Sequence, residues 1–577
     1  MAFFRDRVKQ GLRPTDLYWG MNKKFKFYIL VLGGLIPLIL LDGQACSQFS
    51  ALEPKGGASF SSFDDPTLSK ICGAGYSPGH VSLHRLNNEE YNNTVRDLLY
   101  TTSRPADQFP PSGSGASGFS NDSERLTVFD VIVLDYTAAA DTLAAEVIAS
   151  KNNPGGAYSR IAPCAAASPN ANCAKTSIEN LATRAYRRQV TAEESGRLLN
   201  IFSQAGDFDT GLSTAISAIL VSPNFTFISV TSGDSTNPNA AFALNNFELA
   251  SRLSYFLWQS MPDDRLFQLA TSGALGNPDI LKTEITRMLQ DTRASSMIAT
   301  LQNEWLGEAI LNDPYAGLDD TLRMSMVKET NQFLSSIVKQ DLSAASIVNA
   351  KYTYVNKQLA DIYGVPFTGS NPAAFVKTDL TGSARAGVIG QAAFLTASAG
   401  AVSATHPVKR GKAVLTRMMC QTVLPPPPGI PTIPDVGVSG LSPRATLEQH
   451  AKSASCNGCH QTMDVLGLGL ESFDPFGKFR TSYANTSVNV DPAGVIPGGA
   501  AFSTSGDLLT DLGSSPVVQA CIAKQVMSLA ITRALVSSDD SCVSKTIGAT
   551  KTATKFSDLI WGIVSSRQFS MQTGEAP

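Results

Sequence analysis

The chain has 577 residues, 43% of them hydrophobic and 16% charged, with a formal net charge of −3. That is ample material for buried cores and more than one ordinary domain uses, so several modules are expected. Lys and Arg are scattered rather than gathered into a stripe that would neutralise phosphates, which argues against nucleic acid as a partner.

The N-terminus reads as an address. Lys23, Lys24 and Lys26 precede an apolar run from Phe27 to Leu41, a signal-peptide pattern that assigns 1–45 to export. The run is shorter than the roughly 20 apolar residues of a membrane-spanning helix, and no other stretch is long and apolar enough. Met21 stands just before the basic cluster, so 1–20 reads as an over-extended gene start. In Gly43-Gln44-Ala45-Cys46, small residues sit three and one positions before a cut at Cys46. Either signal peptidase fits. A lipoprotein would carry its lipid on Cys46, although Gly43 departs from the usual Leu; the alternative is a plain secreted protein. The expected location is the periplasm or the outer membrane and cell surface of a Gram-negative bacterium, with a lipid anchor to the membrane. A Gly/Ser-rich tether over 46–78 follows.

From there helices alternate with polar loops. Asn87 with Glu90, Thr191 with Glu194, and Asn245 with Glu248 form capping boxes that open helices over 88–100, from 191 to about 204, and from 245 through Trp258. In the last of these, Leu249, Leu253, Phe256 and Leu257 make an apolar stripe that is read as core. Further helices are expected at about 127–150, 175–189, 209–221, 278–307, 320–340, 383–397, 407–420, 443–456, 516–535 and 555–566. Long loops are expected at 101–125, 421–442 and 472–505. Strand-like alternation is scarce, so the fold class is mainly α. The modules are 79–160, 161–235 with Cys164 and Cys173, 236–423, a Pro-rich linker at 424–442, and 443–577. The linker holds Leu424-Pro425-Pro426-Pro427-Pro428-Gly429, whose prolines cannot join a helix interior. A degenerate repeat is read between Cys173-Ala-Lys, Leu181 to Ala185 and Ser222-Pro223-Asn224-Phe225 and the later Cys521-Ile-Ala-Lys, Leu529 to Ala534 and Ser566-Arg567-Gln568-Phe569; the alternative is the general likeness of any two amphipathic helices rich in Ala and Leu.

Cys456-Asn457-Gly458-Cys459-His460 carries the chemistry. C-x-x-C-H is the signature of c-type haem attachment: two thiols three residues apart add across the haem vinyl groups, and the next residue offers an imidazole to the iron. A structural zinc site would need a second matching pair of ligands, which His80, His84, His406 and His450 do not form. A redox C-x-x-C would need a βαβ setting, which is absent. One covalent haem c is therefore expected in a C-terminal helical segment, bound by Cys456 and Cys459 and ligated by His460. Met527, on the predicted C-terminal helix, is the candidate sixth ligand, against a plain core methionine. His450, on the helix leading into the motif, is read as a haem-edge or propionate contact, because a rise of about 1.5 Å per residue hardly carries it to the other face. Met463 is read as packing.

Setting aside Cys46 and the haem pair, six of the nine cysteines remain: Cys72, Cys164, Cys173, Cys420, Cys521 and Cys542. In an oxidising compartment these make up to three disulfides whose connectivity is not readable from sequence. Cys164 and Cys173, flanking a short loop, are the easiest pair to close. The loop 109–124, with Asp122 and Glu124, lacks calcium-loop spacing and is read as surface. Arg252, Asp263, Asp264, Lys409 and Arg410 are read as capping and ion-pairing residues, with a pocket or haem propionates as the alternative.

Several stretches together resemble the planctomycete-type cytochrome c family, bacterial proteins with linked domains of unknown function 1587, 1595, 1592, 1588 and 1585. They are Leu83 to Leu99, Ala185-Tyr186-Arg187-Arg188, Glu248 to Trp258 with Met261 to Asp264, Pro407 to Lys412, and Cys456 through Asp464 and Leu470 to Asp474. The resemblance implies an exported helical haem protein, and Cys164 and Cys173 match cysteines that the family places before its Ala-Tyr-Arg-Arg stretch. It implies no known reaction. Val465 departs from the family's usual proline. The expected function is electron transfer or redox activity in the cell envelope with an envelope redox partner; the alternatives are a surface binding or adhesion protein with a structural haem, and a haem oxidase or peroxidase.

Overall fold

The computed structural model describes residues 83–228, 230, 241–315, 317–400, 404–424, 442–452, 454–484, 488–537, 539, 543 and 554–573. The signal segment, Cys46, the tether, Cys72, almost all of the Pro-rich linker and Cys542 lie outside the described residues, as do the side chains of Cys456 and Cys459.

The first half begins with strand β1 (His84–Arg85), followed by helices α1 (Asn88–Leu99), α2 (Asp130–Ala149), α3 (Ala171–Ala185), α4 (Ala192–Ser203) and α5 (Phe208–Val221), and by strand β2 (Phe227–Ile228), which pairs antiparallel with β1. The expected capping boxes are present. Asn87 accepts from the Glu90 amide and Thr191 from that of Glu194, and each Glu reaches back to its cap. Tyr91 centres an aromatic cluster, its ring centroid 5.2 Å from Phe109, 5.4 Å from Tyr136 and 5.7 Å from Phe225. Most of the buried apolar residues between Leu86 and Phe225 share one core, while Phe119 belongs to the core of the second half.

The second half opens the same way. Strand β3 (Ala241–Ala243) leads into α6 (Asn246–Trp258) through the Asn245/Glu248 capping box. There follow α7 (Asp264–Thr271), α8 (Pro278–Gln290), α9 (Asp320–Lys339), an antiparallel pair of β4 (Tyr352–Val355) and β5 (Val376–Asp379) with a short helix over Lys357–Tyr363 between them, α10 (Ala392–Ala399), α11 (Pro407–Ala413), α12 (Pro443–His450), α13 (Ala454–Leu468), a hairpin of β6 (Gly494–Val495) and β7 (Ala501–Phe502), α14 (Ser505–Ser514), α15 (Pro516–Ile531) and α16 (Phe556–Val564). Strand β8 (Met571–Thr573) closes the chain by pairing antiparallel with β3. Mainly helical structure with a few short strands is thus what the sequence pattern implied. Among the described residues no helix is long and apolar enough to cross a membrane.

The two closures are alike in detail, which extends the repeat seen in the sequence. The Leu86 amide donates to the Thr226 carbonyl at 2.9 Å, and the Leu244 amide to that of Ser570 at 3.0 Å. In each copy a helix ends at a left-handed residue, Arg187 shortly after α3 and Thr532 at the end of α15. In each, a Ser before a four-residue turn precedes a fully buried Phe, Phe225 or Phe569. Among the described residues two disulfides brace these frames, Cys164–Cys173 as expected and Cys420–Cys521, whose pairing the sequence left open.

Some boundaries differ from the periodicity. The helix expected over 278–307 stops at Asp291, whose carboxylate accepts from the Arg293 amide and so competes with the helical ladder. It resumes at Ser295 and widens into a π turn over Leu301–Trp305. The helix expected over 383–397 starts only at Ala392. Gly387 has φ 50°, and a Cβ there would meet the Val348 backbone at 2.4 Å, so the chain must turn before it can coil. Helix α14 falls within the end of an expected loop and on into the stretch after it. Its capping box uses Asp507 where the usual motif has Glu or Gln.

The motif helix is seated by glycines. On α11 and α13 a Cβ at Gly411 would lie 1.8 Å from the Met463 carbonyl oxygen, and one at Gly467 would lie 1.8 Å from that of Pro407. The two helices therefore meet backbone to backbone. Gly467→Ala should force them apart and destabilise the protein by roughly 3 kcal/mol, read as a lower midpoint in chemical denaturation; an unchanged midpoint would show that the helices can separate at no cost.

Candidate functional site

Helix α13 begins at Ala454, so positions 456, 459 and 460 stand at i, i+3 and i+4 on one face of it. His460 is partly buried, and its Nδ1 lies 3.0 and 3.2 Å from the two carboxylate oxygens of Asp464 one turn later. A carboxylate accepts only, so Nδ1 carries a proton, and in the neutral ring Nε2 is the nitrogen with the lone pair. That is the arrangement a metal-bound imidazole requires, and in this respect the residues present fit an axial His ligand.

His450, the last residue of α12, brings its ring centroid to 4.7 Å from that of His460, the two planes at 71°. It is thus beside the candidate ligand. Burial first, and then the neighbouring His460, hold the His450 imidazole below its ordinary range, which favours the neutral ring. Met463 is buried against the core from α13, and Met527 lies fully buried in the same large core from α15.

The segment leaving the motif is clamped by buried arginines. Arg410, fully buried, donates to the carbonyls of Leu470, Phe473, Leu395 and Asp474. Burial lowers its pKa to about 10, so the guanidinium stays charged at neutral pH. Glu471 accepts from Thr405 at 2.5 Å and from Arg480 at 2.8 Å. Arg385 donates to the carbonyls of Gly390 and Gly477 and lies over the rings of Tyr363 and Phe473. Arg444 ties α12 to the carbonyls of Asp491 and Ala493.

The other singled-out charges also have structural partners. Arg252 donates to the Phe569 carbonyl and to Gln572; Asp263 caps α7 and pairs with Arg287 and Arg293. Asp264 lies 3.5 Å from Arg184, and Lys409 packs over Gly400. Asp122 accepts from the Ser117 and Glu124 amides within its own loop. Among the described residues no group of three or more His, Cys, Asp or Glu side chains is arranged to hold a metal ion.

Sequence reasoning missed a buried acidic network in the second half. Glu308 accepts from Gln302 at 2.9 Å and faces the Thr330 hydroxyl at 3.1 Å; Thr330 reaches Gln391 at 2.9 Å; Gln391 donates to Thr353 at 3.1 Å; and Thr353 and Tyr363 each donate to Glu329 at 2.6 Å. The signal was available in α9, where Glu329 shares the inward stripe of Met326, Phe333 and Ile337. Thr330 has one hydroxyl proton for two acceptors, Glu308 and Gln391. The contacts are all satisfied when Glu308 is the protonated acid and Glu329 the carboxylate. Burial pushes Glu308 up to about 8 and Glu329 up to about 7.

Four family models match the chain in order: PSD3, a protein of unknown function (DUF1587), over 84–149; PSD5, a protein of unknown function (DUF1595), over 173–229; PSD4, a protein of unknown function (DUF1592), over 244–365; and PSCyt3, a protein of unknown function (DUF1588), over 385–483. No curated protein and no solved structure matches.

The acidic network has a pH consequence. Glu308 holds its proton in the folded chain well above the range in which the unfolded chain releases it, so stability falls as pH rises from about 4.5 towards 8. Glu308→Gln keeps an acceptor for Gln302 and a donor for Thr330 without the titration. It should match the wild type near pH 5 and exceed it by roughly 2 kcal/mol at pH 8 in denaturant unfolding; an equal pH slope in both proteins would refute the assignment.

Proposed function

On the premise that this chain carries the four planctomycete cytochrome c-associated domains, we propose that it is an exported monohaem c-type protein that transfers electrons in the cell envelope. In this reading Cys456 and Cys459 form the thioether links and His460 supplies the iron ligand. Export, a lipid on Cys46 and an envelope redox partner belong to the same proposal and rest on the sequence. The observation that carries it is the His460–Asp464 pair within a C-x-x-C-H helix.

A haem held there would supply one-electron chemistry at a potential tuned by its axial ligands and their hydrogen bonds. The work of the chain is to orient and to exclude. Asp464 fixes the tautomer and ring plane of His460. The α11–α13 contact and the Arg410 clamp keep the motif helix from shifting. His450, disposed to stay neutral, adds no cation beside the site.

The test is a reduced pyridine haemochrome spectrum of protein made with the cytochrome c maturation machinery, beside Cys456→Ser/Cys459→Ser. A c-type band in the parent alone is expected; its absence from the parent sinks the redox reading and leaves a surface binding protein. In the haem-loaded protein Asp464→Asn should raise the reduction potential, since the imidazole loses a charged acceptor. An unchanged potential would mean that Asp464 does not act on the ligand.

A further inference from the structure

A cavity of about 620 Å³ opens between α3 and α7, its wall completed by Leu98 and Tyr100 at the end of α1 and by the segment 160–163. Three of its lining residues are charged: Arg160, Arg184 and Asp264. Tyr100 holds both arginines. The Arg160 guanidinium lies over the ring, 4.6 Å from its centroid, and Arg184 Nη1 donates to the hydroxyl at 3.1 Å. The Cys164–Cys173 disulfide ties the stretch just after Arg160 to the start of α3, which bears Arg184, so the two guanidinium groups are positioned before any ligand arrives.

Donors outnumber partners here. Arg160 Nε donates to the Gly155 carbonyl at 2.8 Å, but neither of its terminal nitrogens has a hydrogen-bond partner among the described residues, and the same holds for Arg184 Nη2. Arg160 is exposed and Arg184 partly so, which leaves those groups within reach of a solute. The one acid does not neutralise the pair. Asp264 stands 3.5 Å from Arg184, too long for a good hydrogen bond, and 76% of its side chain is exposed. Two cations against one anion leave a single positive charge in excess, which a carboxylate balances and a phosphate dianion overshoots.

Around the charges the wall is mixed. Leu98, Ile161, Pro163, Leu181 and Phe267 supply apolar surface, and the other residues are neutral and polar. Chloride or acetate would answer the charge and leave that surface wet, whereas a larger organic anion would cover it.

We propose that this cavity binds an organic monocarboxylate with an aromatic or apolar body, its carboxylate accepting from the free N–H groups of Arg160 and Arg184 and its body lying on Leu181 and Phe267. No residue of the motif helix lines the cavity, and the assignment rests on neither the haem nor the export reading.

The probe is 2-naphthoate, titrated calorimetrically into the full mature chain, with 2-naphthamide as the neutral isostere and acetate as the charge without the body. Saturable binding of one 2-naphthoate is expected, at least fivefold tighter than either control. Arg160→Gln and Arg184→Gln should each weaken it at least fivefold, and Asp264→Asn, which removes the competing acid, should tighten it. All three side chains are at least partly exposed, and an unchanged Tm checks that each variant folds; any folded variant suffices if another does not. No saturable binding, equal binding of the amide or of acetate, a loss below fivefold in either arginine variant, or no gain in Asp264→Asn would overturn the proposal.

Discussion

The arrangement depends on two helices that touch through their backbones. Gly411 and Gly467 remove the side chains that would hold α11 and α13 apart, and no other residue type leaves that space. Once the helices are in contact, Arg410 is carried inside and must find acceptors there. It finds them in four carbonyls, three of them in the segment that leaves the motif helix. A buried guanidinium without those partners would be prohibitive, so the segment 470–474 is held as firmly as the helix before it. The position of His460 follows from this seat, and its orientation follows from Asp464.

The larger frame is a repetition. Both halves begin with a strand and an Asn-capped helix and end with a short turn and a strand that returns to the first, with the same amide-to-carbonyl bond beside each pair. The first copy encloses only a few helices between its ends. The second encloses the acidic network and the motif helix, and the Cys420–Cys521 disulfide ties that enclosed region to the closing helix α15. Long insertions are tolerated because the entropy of closing a loop grows only slowly with its length.

What could be read in advance was mostly local. Capping boxes at Asn87, Thr191 and Asn245 announced their helices because the signal is contained in four residues. The mainly helical class and the Cys164–Cys173 bridge followed from similarly short-range patterns. The misses were contacts between distant residues. Cys420 finds Cys521 only once α11 and α15 are packed, Gly387 turns the chain because Val348 occupies the space beside it, and Glu308 and Glu329 form a network only through Gln391. Of the candidate site, the ligand residue and its helix were legible from C-x-x-C-H, and Asp464 was visible in the family stretch, but that its carboxylate takes Nδ1 was not. Arg410 was read as an ion-pairing residue, and it does lie 3.5 Å from Glu471, but its hydrogen bonds go to four carbonyls.

The central claim is that the helix bearing His460 is the attachment site of a covalent haem. The most direct measurement is peptide mass mapping of the mature protein after expression with the haem-attachment machinery. The account predicts that the peptide spanning Cys456 to His460 carries the mass of one haem. Recovery of that peptide with both cysteines free, or joined to each other, would contradict it.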